Sequence, residues 1–188
     1  MCNSLTPLQD IAISEAASDL NDLTHLEYGE LLDLFRHLST PTSAEMTGEF
    51  SARMLAGRNP LISLVGDASV NNPFIGYWIG KAFSGSGRGY NYFRRFGRIV
   101  RSQPMATLIG PSRFDGRPCF QLRYRAFLSP CGLINMVDEV RRVRSGLYLG
   151  MGTVGYTPWE RGVRMPFQLT GPHAAYAGDI GIANPLYR

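Results

Sequence analysis

The change of hydrophobic period at residue 46 constrains this chain most. In 46–54, Met46, Gly48, Phe50, Ala52 and Met54 alternate with Thr47, Glu49, Ser51 and Arg53. A repeat of two is the signature of a half-buried strand. Segments of the same strand-like kind follow at 73–83, 89–96, 98–103, 105–110, 119–127, 135–143, 147–156 and 165–171. Turn signals stand between them at Asp115-Gly116, Pro130 to Gly132 and Ser145-Gly146. Roughly eight to ten short strands with tight turns predict a mainly β fold, a meandering antiparallel barrel or sandwich.

The organisation expected is a helical arm over 1–44, a β-barrel domain over 45–171 and a Gly/Ala-rich tail over 172–188 that wraps the surface. The arm carries two helical stripes. In 7–24, Leu8, Ile11, Ile13, Ala16, Ala17 and Leu20 fall near one helical stripe; in 26–38, Leu31, Leu34, Phe35 and Leu38 stand at helical spacing, and Thr40-Pro41 stops that helix.

Composition narrows the function classes. The 188 residues are 44% hydrophobic and 18% charged, the balance of a folded domain rather than a disordered one. No apolar run is long enough for a membrane helix. The start MCNSLTPLQD lacks a basic and an apolar signal region, so a cytoplasmic location is expected. Cys2, Cys119 and Cys131 form no CxxC, and no HxH or HExxH occurs, so neither a metal nor another cofactor is expected. A GxSxG elbow is absent too. Gly85-Ser86-Gly87-Arg88-Gly89 joins two strands and lacks the Lys-Ser/Thr ending of a phosphate loop, so it reads as a hairpin.

Charge is distributed unevenly. Residues 1–50 carry nine acids against Arg36, a balance of −8, and the remainder carries +12. An acidic arm docked on a basic body follows. Eighteen of the nineteen basic residues are Arg, planar forks suited to carboxylates and phosphates. They are scattered along strands and form no run, which disfavours nucleic acid as the partner.

Three motifs occur in order. Gly48-Glu49-Phe50-Ser51-Ala52 stands where a Gly-x-Trp-x-Gly pattern would place Trp and Gly at the third and fifth positions. Trp78-Ile79-Gly80-Lys81-Ala82-Phe83 follows, and then Met136-Val137-Asp138-Glu139-Val140-Arg141-Arg142-Val143 with Leu149-Gly150. Over about residues 28–170 this order resembles the GXWXG-type families of unknown function. The resemblance implies a lipocalin-like (calycin-like) barrel and no particular reaction.

The candidate site is built on strand faces. In 135–143, Asp138 and Arg142 share one face, and Glu139 and Arg141 the other. One face of a barrel strand looks inward, and an inward charge must be paired or meet a ligand. Asp138, Arg141 and Lys81, the only lysine, are therefore the candidate catalytic residues. Lys81 either pairs with Asp138, stands exposed, or acts as a base with a pKa depressed by burial. Trp78 and Phe83 are core or cavity wall. Tyr90, Tyr92 and Arg94 share a face that lines the ligand site or packs beneath helices. Arg123 and Arg125 flank Tyr124; turned inward they clamp an anion with Arg141, turned outward they are solvated. Tyr148 and His173, the latter in a loop past the last strand, complete the ligand-binding set.

The function expected is binding of a small, largely apolar or aromatic, oxygenated or carboxylate ligand inside the barrel. The alternative is a cofactor-independent isomerase, cyclase or lyase acting on a polyketide-, terpene- or fatty-acid-like substrate in that cavity. The partner is a small molecule, no membrane is involved, and a homodimer is left open.

Overall fold

A computed structural model describes residues 21–55, 71–72 and 76–187. The helix expected over 7–24 lies, up to residue 20, outside the described residues, and 21–24 form bends and turns. The second helix is present as α1, Tyr28–His37. Glu30 accepts the Glu27 N–H at its start (2.7 Å), and Arg36 sits in its last turn, where a cation favours the helix dipole.

Nine strands follow: β1 Thr47–Met54, β2 Asn71–Asn72, β3 Gly76–Ser84, β4 Arg88–Arg95, β5 Arg98–Pro111, β6 Pro118–Arg123, β7 Val137–Arg144, β8 Leu147–Thr153 and β9 Met165–Ala174. A short helix α2, Pro130–Leu133, lies between β6 and β7. The strands from β3 to β9 pair antiparallel in chain order. β1 pairs with both β9 and β3, which closes an eight-stranded antiparallel barrel; β2 only extends the edge of β3. Closure leaves these eight strands without a free edge. Among the described residues, no helix is long and apolar enough to cross a membrane.

Three apolar layers result. Phe50, Phe83, Phe120, Leu122, Tyr148 and Leu169 fill the barrel. Outside, Leu31 and Phe35 of α1 pack on Val143, Leu147, Leu149 and Met151. Each of these fully buried helix side chains contributes about 1.5–3 kcal/mol through its burial. On another flank, Tyr90 and Tyr92 lie beneath Tyr176 and Ile180 of the tail, with Tyr90 and Tyr176 stacked 5.1 Å apart. The tail does wrap the surface: Arg88 pairs with Asp179 at 3.0 Å, and Ala183 bridges to Phe127.

Several boundaries differ from the sequence reading. The segments 98–103 and 105–110 form one strand, β5, interrupted at Gln103 and Pro104. There the register jumps between Asn91↔Ser102 and Gly89↔Met105. Proline lacks the ladder N–H, so a bulge accommodates it without ending the strand. The segment 119–127 leaves the sheet at Arg123, and Tyr124–Ala126 form a 3-10 turn. The last strand runs past 171 to Ala174.

Candidate functional site

The barrel interior is divided along its axis. At one end Phe50 meets Phe83 and Tyr148 at 5.6 and 5.8 Å, and Phe83 meets Phe120 at 5.4 Å, which packs that end solid. The other end holds a cavity of about 320 Å³. Its wall is mainly apolar: Met54, Trp78, Phe93, Met165 and Phe167 from the strands, with Cys131, Ile134 and Met136 from the α2 region across the mouth.

A bulge makes the polar corner of this cavity. Strict alternation would set Trp78 and Lys81 on opposite faces of β3. The register shifts between Trp78 and Gly80, so both point inward. Gly80 permits the close approach there: a Cβ at this position would collide with the Phe50 carbonyl and the Tyr92 ring. Lys81 faces Asp138 of β7 across the barrel, Nζ to Oδ2 at 2.7 Å, with both side chains buried. Thus the second and third motifs of the sequence meet in one ion pair.

Lys81 Nζ also donates to Asn91 Oδ1 (2.8 Å) and to the Tyr124 hydroxyl (2.7 Å), so its three N–H groups are engaged. The Trp78 and Phe167 rings lie 5.0 Å from Nζ and add cation–π attraction in place of water. The Tyr124 hydroxyl accepts from Asn91 Nδ2 (3.0 Å) and donates to Asp138 Oδ2 (2.9 Å). Burial, reinforced by the Asp138 charge, holds the Tyr124 pKa well above its ordinary value, so it remains a donor. Burial and the same charge push the Cys131 thiol up to about 12, which leaves it a poor nucleophile.

One atom of this network is open. Asp138 Oδ1 is buried and has no hydrogen-bond partner. Gly152 gives it room, since a Cβ there would stand 3.0 Å from Oδ1. A buried carboxylate oxygen without a donor is costly, so this position is suited to accept a hydrogen bond from water or from a donor group entering the cavity.

The structure separates the other sequence-predicted residues. Trp78 lines the cavity and Tyr124 stands behind its polar corner, bonded to Lys81 and Asp138, whereas Phe83 and Tyr148 lie in the packed end; of these four only Trp78 is in the cavity wall. Tyr90 and Tyr92 face outward under the tail, held by Tyr90 OH to Glu49 Oε1 (2.9 Å) and Tyr92 OH to the Phe50 carbonyl (2.9 Å). Arg94 is exposed. The shared face of these three is therefore the outer one.

Arg141 is fully buried, yet outside the barrel and under α1. It makes a two-pronged pair with Asp115 (2.6 and 2.7 Å) and donates to the Phe35 carbonyl (2.7 Å). Its place is structural. Arg123 and Arg125 also lie outside, so there is no inward arginine clamp. His173 sits exposed within β9, at the end remote from Met165 and the cavity mouth. Asn91, Gln103 and Cys131 were missed by the sequence reading. Only Asn91 carried a usable signal, as the polar residue alternating with Tyr90 and Tyr92 on an aromatic strand.

Trp78 and Trp159 are the two tryptophans of the chain, and Trp159 is 84% exposed. In a Trp159→Phe variant the remaining emission reports on the cavity corner. A cavity ligand is expected to shift or quench it; a ligand detected by heat with no change in emission would place that ligand elsewhere.

No protein-family model matches the chain, and no curated protein matches it. Among solved structures it is similar to the crystal structure of a protein from Thermomonospora curvata, with a TM-score of 0.54 and 17% identity over 86% of this chain and 95% of that one. At that identity the likeness concerns the fold alone, and it agrees with the closed antiparallel barrel described above.

Proposed function

We propose that the barrel binds a small, largely apolar or aromatic molecule carrying a hydroxyl or similar donor, seated against Trp78 and Phe167 with its donor on Asp138 Oδ1. The observation that supports this reading is the open carboxylate oxygen in an otherwise apolar cavity. It refines the ligand expected from sequence. A carboxylate end finds no arginine in the wall, the Lys81 N–H groups are already engaged, and Oδ1 can only accept, whereas a hydroxyl supplies the donor that Oδ1 lacks. The likeness of the barrel to lipocalin-type carriers belongs to the same proposal.

The test is a binding series with 2-naphthol, naphthalene and 2-naphthoate. A hydrogen bond to a charged group contributes about 1.5–3 kcal/mol, so 2-naphthol is expected to bind at least about tenfold tighter than naphthalene. An Asp138→Asn variant should narrow that gap. Preference for 2-naphthoate would sink the reading.

The same oxygen supports a second reading, an enzyme that needs no cofactor. A buried carboxylate with a free lone pair is what a general base requires. Asp138 would take a proton from one carbon of the bound molecule and return it to another, an isomerisation. Native mass spectrometry of protein purified from its own host separates the two: a co-purified molecule that gains deuterium at carbon in heavy water, through the parent but not Asp138→Asn, marks the enzyme.

A further inference from the structure

A second concavity, also about 320 Å³, lies on the outer wall of the barrel over β6 and β7. Its chemistry is opposite to that of the interior. Four arginines reach it from four separate pieces of chain: Arg113 from the β5–β6 hairpin, Arg123 at the end of β6, Arg125 in the 3-10 turn that follows, and Arg161 in the turn before β9. Among the described residues, none of the four guanidinium groups is in an ion pair, although other arginines of the chain are.

Their neutral contacts leave donors free. Arg123 holds only Gln121 Oε1 (3.0 and 2.7 Å), itself a wall residue. Arg161 holds the Tyr156 and Gly155 carbonyls (2.6 and 3.4 Å), and Arg125 lies 5.5 Å from the Tyr156 ring centre. Glu139, a buried acid, lies against Arg113. Its oxygens accept the Ser112 hydroxyl at 2.5 Å and the Arg113 backbone N–H. Glu139 does not itself line the concavity, so the four cations share no acid in its wall. The crowding is felt: burial, followed by the Arg161 and Arg123 charges, holds the Arg113 pKa below its usual value, with Glu139 opposing.

Four like charges gathered on a concave surface repel one another, and a bound anion would relieve that repulsion. We infer that this outer concavity is a binding site for a small ligand bearing a phosphate or pyrophosphate group, held by Arg113, Arg123, Arg125 and Arg161. Planar guanidinium forks match the geometry of phosphate oxygens, and several forks match a multiply charged oxyanion better than a single carboxylate. The site is a pocket and not a stripe along the surface, which fits a small ligand better than a nucleic-acid backbone. It is separate from the barrel cavity, so its occupant need not compete with the interior ligand.

Calorimetric titration of the whole protein with inorganic pyrophosphate at low ionic strength tests this. Saturable binding is expected, weakened at least about tenfold in Arg113→Met and in Arg123→Met and reduced by added salt. The unliganded variants should melt no lower than the parent, because each substitution relieves repulsion. If Arg123→Met melts lower, Arg125→Met, whose side chain is exposed, carries the comparison. No binding of pyrophosphate, equal binding by parent and variants, or citrate binding as tightly would overturn the proposal. So would a single-stranded oligonucleotide that binds more tightly than pyrophosphate and is lost with the same variants, since that outcome assigns the surface to a polynucleotide.

Discussion

Lys81→Met is expected to lower stability by about 3–5 kcal/mol, because it leaves the Asp138 carboxylate buried in the barrel without its cation. In a chain of this size that is a fall in melting temperature of roughly 6–20 °C. The double variant Lys81→Met/Asp138→Asn should regain most of the loss, since no net charge is then buried and the asparagine oxygen still accepts the Tyr124 hydroxyl. Urea denaturation of the parent, the single and the double variant measures this directly. A single variant within about 1 kcal/mol of the parent would mean that water reaches the pair, as at an exposed salt bridge.

Arg141→Met is the second large effect, about 3 kcal/mol. It removes a fully buried guanidinium that joins the Asp115 carboxylate to the Phe35 and Arg117 carbonyls. Arg142→Met offers the contrast on the same strand. Its Glu45 pair at 2.9 Å is partly exposed, and its loss should cost about 0–1 kcal/mol. Neither change touches the cavity wall, so ligand binding should survive in folded protein.

The Arg141 effect is also pH-dependent. Burial works to raise the Asp115 pKa, but the Arg141 hydrogen bonds, the Arg117 backbone N–H and the Arg141 charge together overcome it, and the net shift is downward. A carboxyl depressed on folding stabilises the native state above its unfolded pKa, about 3.9, and loses that contribution as pH falls through the lower folded value. The stability gap between the parent and Arg141→Met should therefore be full at neutral pH and shrink below about pH 4. A gap that stays constant down to strongly acid conditions would show that the carbonyl contacts, and not the ion pair, carry the effect.

Period-two alternation carried much of the fold. It located the barrel strands within a few residues, and it set Asp138 and Arg141 on opposite faces, where each is found paired. Alternation fails where the ladder skips. The bulge between Trp78 and Gly80 brings Trp78 and Lys81 to the same side, and nothing in the order of residues announces it. The choice of face on β4 was equally hidden. An aromatic face suits a cavity or an outer layer, and only the tail packed over Tyr90 and Tyr92 decides between them. Asp115 was legible as a hairpin residue, but its role as partner to a buried arginine depends on a hairpin folding back toward α1, which is a property of the assembled barrel.

β7 carries charge on both faces, and each face finds its complement in a different compartment: Lys81 inside, the Asp115 hairpin and α1 outside. Slippage of this strand by one residue would turn Arg141 and Glu139 into the apolar interior and Asp138 out beneath the helix. Every one of these ions would then be buried without its partner. An all-apolar β7 would resist such a shift far less, because Val and Leu are acceptable on either side. The ion pairs thus penalise mispaired barrels more heavily than they favour the correct one, and their main contribution is to the uniqueness of the native state rather than to its depth.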